Sequence, residues 1–358
     1  MTEMMKAARM YGPNDIRYEE MERPTCKEDG MIINVRAVGL CGSDIRNLTT
    51  DSAPGNYPKV YGHEIVGEIV EVGEKVEGFA VGENIFVKPV VNCNQCEECR
   101  NGQGEFCSFE FDHYAIPGGF SDYYEIRPEL IKYQSVIKIA DDLDLRAATL
   151  AEPLSSVYSC QKKIDVGFGD TVVVIGAGPI GCFHTQLAKL RGAETVILIE
   201  MNEKRLKQAE AFPADYYITG STQDPVEEVL KITGGKGADK VISANPSTES
   251  QNQALYMAKK GGIVVWFGGV PKGSMAKIDS NYAHYNGIWM YGHFGFSSKE
   301  CEEAFALATS EKFNADLFIT HIMPLAEINE AIQLAQSGEA IKVVLIPNLE
   351  KNADLLER

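Results

Sequence analysis

The sequence predicts an α/β chain in two parts: a β-rich part, and a doubly wound sheet of parallel strands with helices on both faces. Three observations predict it. An apolar run breaks off at Gly176-Ala177-Gly178-Pro179-Ile180-Gly181 and resumes after a helix-like segment. Short strand-like runs punctuated by glycine, with no long helical period, fill the chain up to about residue 145. Four cysteines, Cys93, Cys96, Cys99 and Cys107, fall within fifteen residues.

The β-rich part comes first. Met31 to Val38 alternates as a strand does, and Ile65 to Gly73 forms a second run. Cys41-Gly42-Ser43-Asp44 closes the first strand, and Tyr61-Gly62-His63-Glu64 opens the second. A cysteine and a histidine at the ends of neighbouring strands can converge on one metal. Each alone has a plainer role, the cysteine in packing and the histidine in hydrogen bonding. Ser43 alone fits a turn or a helix N-cap.

The cysteine cluster has the spacing C-x2-C-x2-C-x7-C. Four thiolates close a tetrahedral Zn²⁺ site with no open position, so this zinc is expected to be structural. The rival is an iron–sulfur cluster, which also uses four cysteines. The loop is rich in Glu, Asn and Gly and reads as exposed, which favours zinc over a vulnerable sulfide cluster. Cys26, Cys160, Cys182 and Cys301 are isolated and read as small buried apolar residues.

From about Asp141 the texture changes, and Asp144 to Leu150 reads as a helix leading to Glu152. Next comes the dinucleotide fingerprint. Val172 to Ile175 is a strand, Gly176, Gly178 and Gly181 follow at G-x-G-x-x-G spacing, and Cys182 to Arg191 continues as helix. Gly176 permits the tight turn, Gly178 lets backbone approach a pyrophosphate, and Gly181 lets the helix lie close on the strand. The helix start at Pro179 and Ile180 offers free N–H groups from Ile180 onward and a positive dipole end. Thr195 to Ile199 is the second strand. Glu200 ends it 24 positions after Gly176, where an acid grips the ribose hydroxyls of NAD. Asn202 to Phe212 reads as a second helix. Lys240 to Ser243 and Gly262 to Gly269 read as buried strands of a two-faced parallel sheet.

Composition bounds the function. At 358 residues the chain is too long for one ordinary core, and 44% hydrophobic with 24% charged residues fits a globular protein. A net charge of −17 argues against nucleic acid and anionic membranes as partners. The apolar runs are too short to span a bilayer. Met1 to Lys6 has no apolar stretch, so no secretory signal is expected and the cytoplasm is the expected compartment.

Together these motifs resemble the zinc-containing medium-chain alcohol and polyol dehydrogenases. The shared elements are Cys41-Gly42-Ser43-Asp44, Gly62-His63-Glu64, the four-cysteine lobe, Gly118-Gly119-Phe120-Ser121, Glu152-Pro153-Leu154 and the glycine fingerprint. They occur in family order over nearly the whole chain. Glu152-Pro153-Leu154 is similar to the sorbitol and threonine dehydrogenases, where ordinary alcohol dehydrogenases carry a cysteine.

The resemblance implies a GroES-like catalytic domain over 1–147 and 287–358, with the structural zinc lobe at about 90–110. It implies a Rossmann NAD-binding domain over 148–286. In this picture Glu300 to Ser310 is a helix and Ile341 to Leu345 a late strand. A second, catalytic zinc is implied at Cys41 and His63, with Glu64 or Glu152 as third ligand and the other carboxylate close by. The plainer role for Glu64 is to fix His63. A carboxylate in place of a second thiolate suits a polyhydroxylated substrate.

Ser43 then becomes a proton relay. Many relatives carry a histidine five residues after the cysteine as the next relay base, where this chain has Arg46. A guanidinium cannot accept that proton, which leaves Glu152 and water as an exit and Arg46 as an anchor for an anionic substrate end or a surface charge. Arg205 matches a position beside the adenine, and Gly268 and Phe294 match backbone that closes on the nicotinamide; His293 between them reads as packing. The implied activity is zinc-dependent, NAD-linked oxidation of a secondary alcohol in a polyol. Alternatives are a phosphorylated-polyol dehydrogenase, an L-threonine 3-dehydrogenase-like enzyme, and a non-catalytic NAD-binding sensor or scaffold. The resemblance also implies a homodimer or homotetramer.

Overall fold

The computed structural model describes residues 3–50, 57–109, 111 and 117–357. Its first strands are β1 (Met4–Gly12), β2 (Asp15–Glu22), β3 (Met31–Gly39), β4 (Glu64–Val72), β5 (Asn84–Val87), β6 (Tyr123–Ile126) and β7 (Val136–Ile139). Next are β8 (Thr171–Ile175), β9 (Thr195–Glu200), β10 (Tyr216–Thr219), β11 (Ala238–Ser243), β12 (Ala258–Trp266) and β13 (Trp289–Gly292). The chain ends with β14 (Ile319–Pro324) and β15 (Lys342–Ile346).

Contacts divide the chain into two compact units, Met1–Ser155 with Phe296–Arg358, and Ser156–Gly295. These boundaries differ from those drawn at 147 and 287. Glu152 belongs to the first unit. The second unit runs past residue 287 because β13 pairs in parallel with β12.

In the first unit a seven-stranded sheet has the order β14-β15-β3-β4-β5-β7, with β6 also on β3. β3 was expected to alternate. Instead every residue but Arg36 is buried, because β15, β4 and β6 all pair with it. Its one buried amide, Asn34, is satisfied from the far end of the chain. It donates to Asn352 at 2.9 Å and accepts from Asn348 at 2.9 Å. Close approach of β3 and β4 requires Gly67, where an added Cβ would stand 2.6 Å from Asn34 O.

In the second unit six parallel strands run β10-β9-β8-β11-β12-β13. Numbered from β8, that is the order 3-2-1-4-5-6 of a doubly wound dinucleotide fold, whose ligand crevice opens at the carboxyl ends beside the first strand. β8 and β9 are buried through their middles, as a sheet covered on both faces requires. The helix after β9 is Glu203–Ala209, shorter than expected. Asn202 caps it, and Pro213 lies just beyond, disfavouring helical backbone at Phe212. The strand expected at 262–269 starts earlier and ends at Trp266. The later helix is Ser298–Ala308.

Candidate active site and metal centres

The register of β3 on β4 builds the first centre. Gly39 pairs with Glu64, so the chain leaving β3 and the chain entering β4 lie side by side. Cys41 stands two residues beyond that pair and His63 one residue before it. Gly62 makes the entry possible with φ +96°, and an added Cβ there would meet Phe120 at 2.8 Å. Cys41 is itself the N-cap of helix Gly42–Thr49, so Ser43 is not the cap but lies in the first turn. Glu152 arrives from the first turn of helix Ala151–Lys163.

One ligand atom from each of Cys41, His63, Glu64 and Glu152 lies within 4.8 Å of the others. His63 is oriented by Asp44, whose Oδ1 is 3.2 Å from Nδ1 and which is buried. Asp44 also accepts from Cys41 N at 3.2 Å, so one carboxylate aligns two ligands. With Nδ1 taken, Nε2 is the nitrogen free for a metal, and it stands 3.8 Å from Glu152 Oε1. The role of fixing His63, expected of Glu64, therefore falls to Asp44. Glu64 is fully buried and pairs with the buried Lys342, whose Nζ is 2.6 Å from Oε1. Ser43 Oγ donates to Cys41 Sγ at 3.3 Å. Arg46 is exposed on the same helix, three residues on from Ser43 and so on its face.

The electrostatics follow from this crowding. Burial pushes the Glu152 carboxyl up to about 7, with His63 pulling it down and Glu64 adding to the rise. Desolvation works to lower His63, but the charges of Asp44 and Glu152 outweigh it and hold the imidazole well above its ordinary value. Burial likewise opposes the charge on Lys342, and Glu64 overcomes it. A thiolate, an imidazole and a carboxylate converging from three directions fit a catalytic zinc, which takes about three protein ligands and keeps one position open.

The second centre is the cluster of Cys93, Cys96, Cys99 and Cys107, whose sulfurs also lie within 4.8 Å of one another. Backbone N–H groups of Cys96, Cys99 and Phe109 point at Cys93, Cys96 and Cys107 Sγ at 3.3 to 3.4 Å. Such bonds from Ser108 and Cys99 draw Cys96 down to about 6, while burial pushes Cys99 up to about 12. Cys96 and Cys107 Sγ are 3.9 Å apart. Zn–S bonds of about 2.3 Å put tetrahedral sulfurs roughly 3.8 Å apart, so the cluster fits one zinc ion. Among the isolated cysteines, Cys160, Cys182 and Cys301 are buried as expected, but Cys26 is only half-buried.

In the second unit each fingerprint glycine has its own reason. Gly176 has φ +107°. An added Cβ at Gly181 would stand 1.7 Å from Gly176 O, so helix and strand could not pack. Gly178 would meet nothing within 4 Å, so its lack of a side chain serves no packing need and leaves room for a ligand. Gly178 is also the N-cap of helix Pro179–Leu190, which has no side-chain cap; Pro179 and Ile180 form its half-exposed start. Together these fit a pyrophosphate. Glu200 Oε2 accepts from Ala177 N at 2.8 Å, and Oε1 from Met201 N at 2.8 Å and Asn202 N at 3.0 Å. The acid thus stands against the glycine loop. Arg205 is in the first turn of the next helix, with its N–H on Asn202 Oδ1 at 3.2 Å. Gly268 packs on Asn245, where an added Cβ would be 2.2 Å from the carbonyl. Asn245 also lies beside Gly176, which ties the ends of β8, β11 and β12 together. His293 is stacked on Phe267 and 3.4 Å from Ser156 Oγ, a packing role. Phe294 is 70% exposed.

Sequence reasoning missed two residues, Asp44 and Lys342. Asp44 sat inside a quoted motif without a role. Lys342 was visible as a lone charge in the apolar run Ile341 to Leu345.

Residues 27–137 match the alcohol dehydrogenase GroES-like domain, and residues 179–310 the zinc-binding dehydrogenase domain. The chain is 32% identical to the erythritol/L-threitol dehydrogenase of Mycolicibacterium smegmatis, over 96% of this chain and 98% of that protein. It is 30% identical to the sorbitol dehydrogenase of Bacillus subtilis, over 96% and 98% of the two chains. A Sinorhizobium meliloti protein described as a zinc-binding dehydrogenase and crystallised with NADP superposes with a TM-score of 0.87 at 28% identity, over 96% and 100% of the chains. With two centres suited to zinc and a dinucleotide cradle in place, the chain belongs to the zinc-containing medium-chain alcohol and polyol dehydrogenases, oxidoreductases that act on CH–OH groups.

Proposed function

We propose that this chain oxidises a secondary alcohol of a neutral polyol to the ketone with NAD, and reduces it in the reverse direction. The observation that carries the reading is the open centre, where Cys41 and His63 are joined by carboxylates alone. A zinc ion held there would supply Lewis acidity that lowers the pKa of an alcohol hydroxyl, and NAD in the glycine-loop cradle would supply the hydride acceptor. Ser43, on Cys41 Sγ, takes the proton from the substrate hydroxyl. Arg46 cannot pass it on, so Glu152 and water carry it out. Cys41 and His63, with Glu64 or Glu152 as the third ligand and the other carboxylate beside it, would hold the catalytic metal. Cys93, Cys96, Cys99 and Cys107 hold the structural one.

Glu200 bonds the adenosine ribose, Arg205 lies along the adenine, and Gly176, Gly178, Pro179, Ile180 and Gly181 receive the pyrophosphate. Gly268 and Phe294 contribute backbone toward the nicotinamide. A second reading, an acidic or phosphorylated polyol, is favoured by Arg46 on the face of Ser43.

The protein works in the cytoplasm as a homo-oligomer. Among the described residues no helix is long and apolar enough to cross a membrane. β13 is the outermost strand of its sheet, and Trp289 on it is 72% exposed. Trp266, Ile278 and Trp289 line a groove of about 740 Å³ there, which suits a second copy. Sedimentation at working concentration measures the assembly.

The test of function is NADH formation across a panel of neutral polyols, their phosphates and acids, and L-threonine. The reading expects the highest kcat/KM on a neutral polyol. L-threonine as the best substrate, or no hydride transfer to NAD at all, contradicts it; the second outcome favours an NAD-binding sensor.

A further inference from the structure

His184 is a buried histidine that the proposed chemistry does not use. It lies fully out of solvent in helix Pro179–Leu190, whose start fits a pyrophosphate. Gln161, equally buried, fixes its ring. The Gln161 amide nitrogen donates to His184 O at 2.8 Å and, with its second hydrogen, to Nδ1 at 3.2 Å. Nδ1 is therefore an acceptor, and Nε2 carries the proton. Burial, with His293 nearby, holds the imidazole down to about 3, so the ring is neutral. It stands edge to face with Phe267, the centroids 4.7 Å apart. Phe267 in turn stacks on His293 at 5.1 Å. His293 is held from both sides, with Tyr291 OH 3.3 Å from Nδ1 and Ser156 Oγ 3.4 Å from Nε2. Three rings thus run from helix Pro179–Leu190 to the carboxyl ends of β12 and β13.

We infer that His184 is a positioning residue for the nicotinamide half of the cofactor: through Phe267 and His293 it sets the backbone at Gly268 and at Phe294. This rests on the cradle holding NAD, as proposed above. Backbone bonds fix the near side of these segments. Phe267 N and Gly268 N donate to Ser243 O at 3.1 and 3.0 Å, and His293 N donates to Trp266 O at 3.1 Å. Farther out, Gly268 and Gly269 have no side chain to hold them, and Phe294 is mostly exposed. The rings of Phe267 and His293 are the side chains that aim the two segments, and His184 braces both from the pyrophosphate helix. A ligand that carries nicotinamide should feel its loss. A ligand that stops short of the nicotinamide should not.

The test is isothermal titration calorimetry of zinc-loaded protein with NADH and with ADP-ribose, which lacks the nicotinamide. His184→Ala should weaken NADH by about tenfold, the upper end for loss of one aromatic pair, and ADP-ribose by less than about threefold. His184→Phe, which puts a ring back against Phe267, should return NADH affinity to within about threefold of wild type. Equal losses on both ligands, no loss on NADH, or no recovery with phenylalanine overturns the inference. Should His184→Ala fail to fold, imidazole nitrogen NMR of the wild-type protein decides. The His184 and His293 ring signals should shift with NADH and stay in place with ADP-ribose. No shift with NADH, or the same shift with both ligands, overturns the inference. Wild-type protein that binds neither ligand would instead remove the proposed function.

Discussion

The first unit carries two cysteine-containing centres that differ in what surrounds the ligands. At Cys93, Cys96, Cys99 and Cys107 the partners of the sulfurs are backbone N–H groups of the same loop. Local chain geometry is enough to form that centre, and four thiolates leave nothing open. At Cys41, His63, Glu64 and Glu152 the partners are side chains, Ser43 and Asp44 from the helix that Cys41 caps and Lys342 from β15. Asp44 orients His63, and Lys342 holds Glu64 across 278 residues of sequence. The contrast separates a centre that staples a loop from one whose ligands are held in place so that a position stays free for chemistry.

The largest effect expected from this contrast is on metal removal. Elemental analysis should give two zinc ions per chain, one for each ligand cluster. A chelator should strip the mixed centre first, abolishing activity while circular dichroism keeps the native signal. Finding one zinc, or iron with visible absorbance, breaks the comparison.

A smaller effect is expected at Asp44, which belongs only to the mixed centre. Asp44→Ala should weaken zinc there by about 10- to 100-fold, as loss of a partner that orients a histidine ligand does. Zinc in the four-thiolate lobe should be unchanged. Loss from both centres would mean that Asp44 supports the fold rather than the site.

Outside the metal centres, Glu200 should set the cofactor. Its carboxylate would repel the 2′-phosphate of NADP, so kcat/KM for NAD should exceed that for NADP by at least roughly tenfold, about 1.4 kcal/mol. The NADP bound to the Sinorhizobium meliloti relative makes this worth measuring on this chain itself. Equal use of both cofactors refutes it.

The smallest effect concerns Arg46. For a neutral polyol, Arg46→Ala should change kcat/KM by less than about threefold, because an exposed charge contributes little. A loss confined to phosphorylated or acidic polyols, of roughly 2–3 kcal/mol, would transfer the assignment to an anionic substrate.

What could be read in the sequence follows the same division. The four-thiolate lobe was legible because its spacing alone fixes its geometry. The glycine fingerprint was legible for the same reason: Gly176, Gly178 and Gly181 act through turn, approach and packing within six residues. Cys41, His63 and Glu152 were legible as ligand types, and their company suggested a single centre. Their orienting partners were not, since nothing in Ile341-Lys342-Val343 says that this strand lies beside Gly39. The burial of β3 was hidden likewise, because Asn34 looks like the polar half of an alternation until Asn348 and Asn352 are seen to satisfy it. The unit boundary before Ser156 was missed because no break in texture marks it.

The most direct test of the open zinc centre as the site of NAD-linked polyol oxidation uses a polyol deuterated at its carbinol carbons, supplied with NAD to chelator-treated protein. The account predicts no reaction until zinc returns to the mixed centre, and then deuterium on the reduced nicotinamide in step with ketone formed. Deuterium transfer at the full rate with that centre empty, or no transfer after zinc is restored, would contradict it.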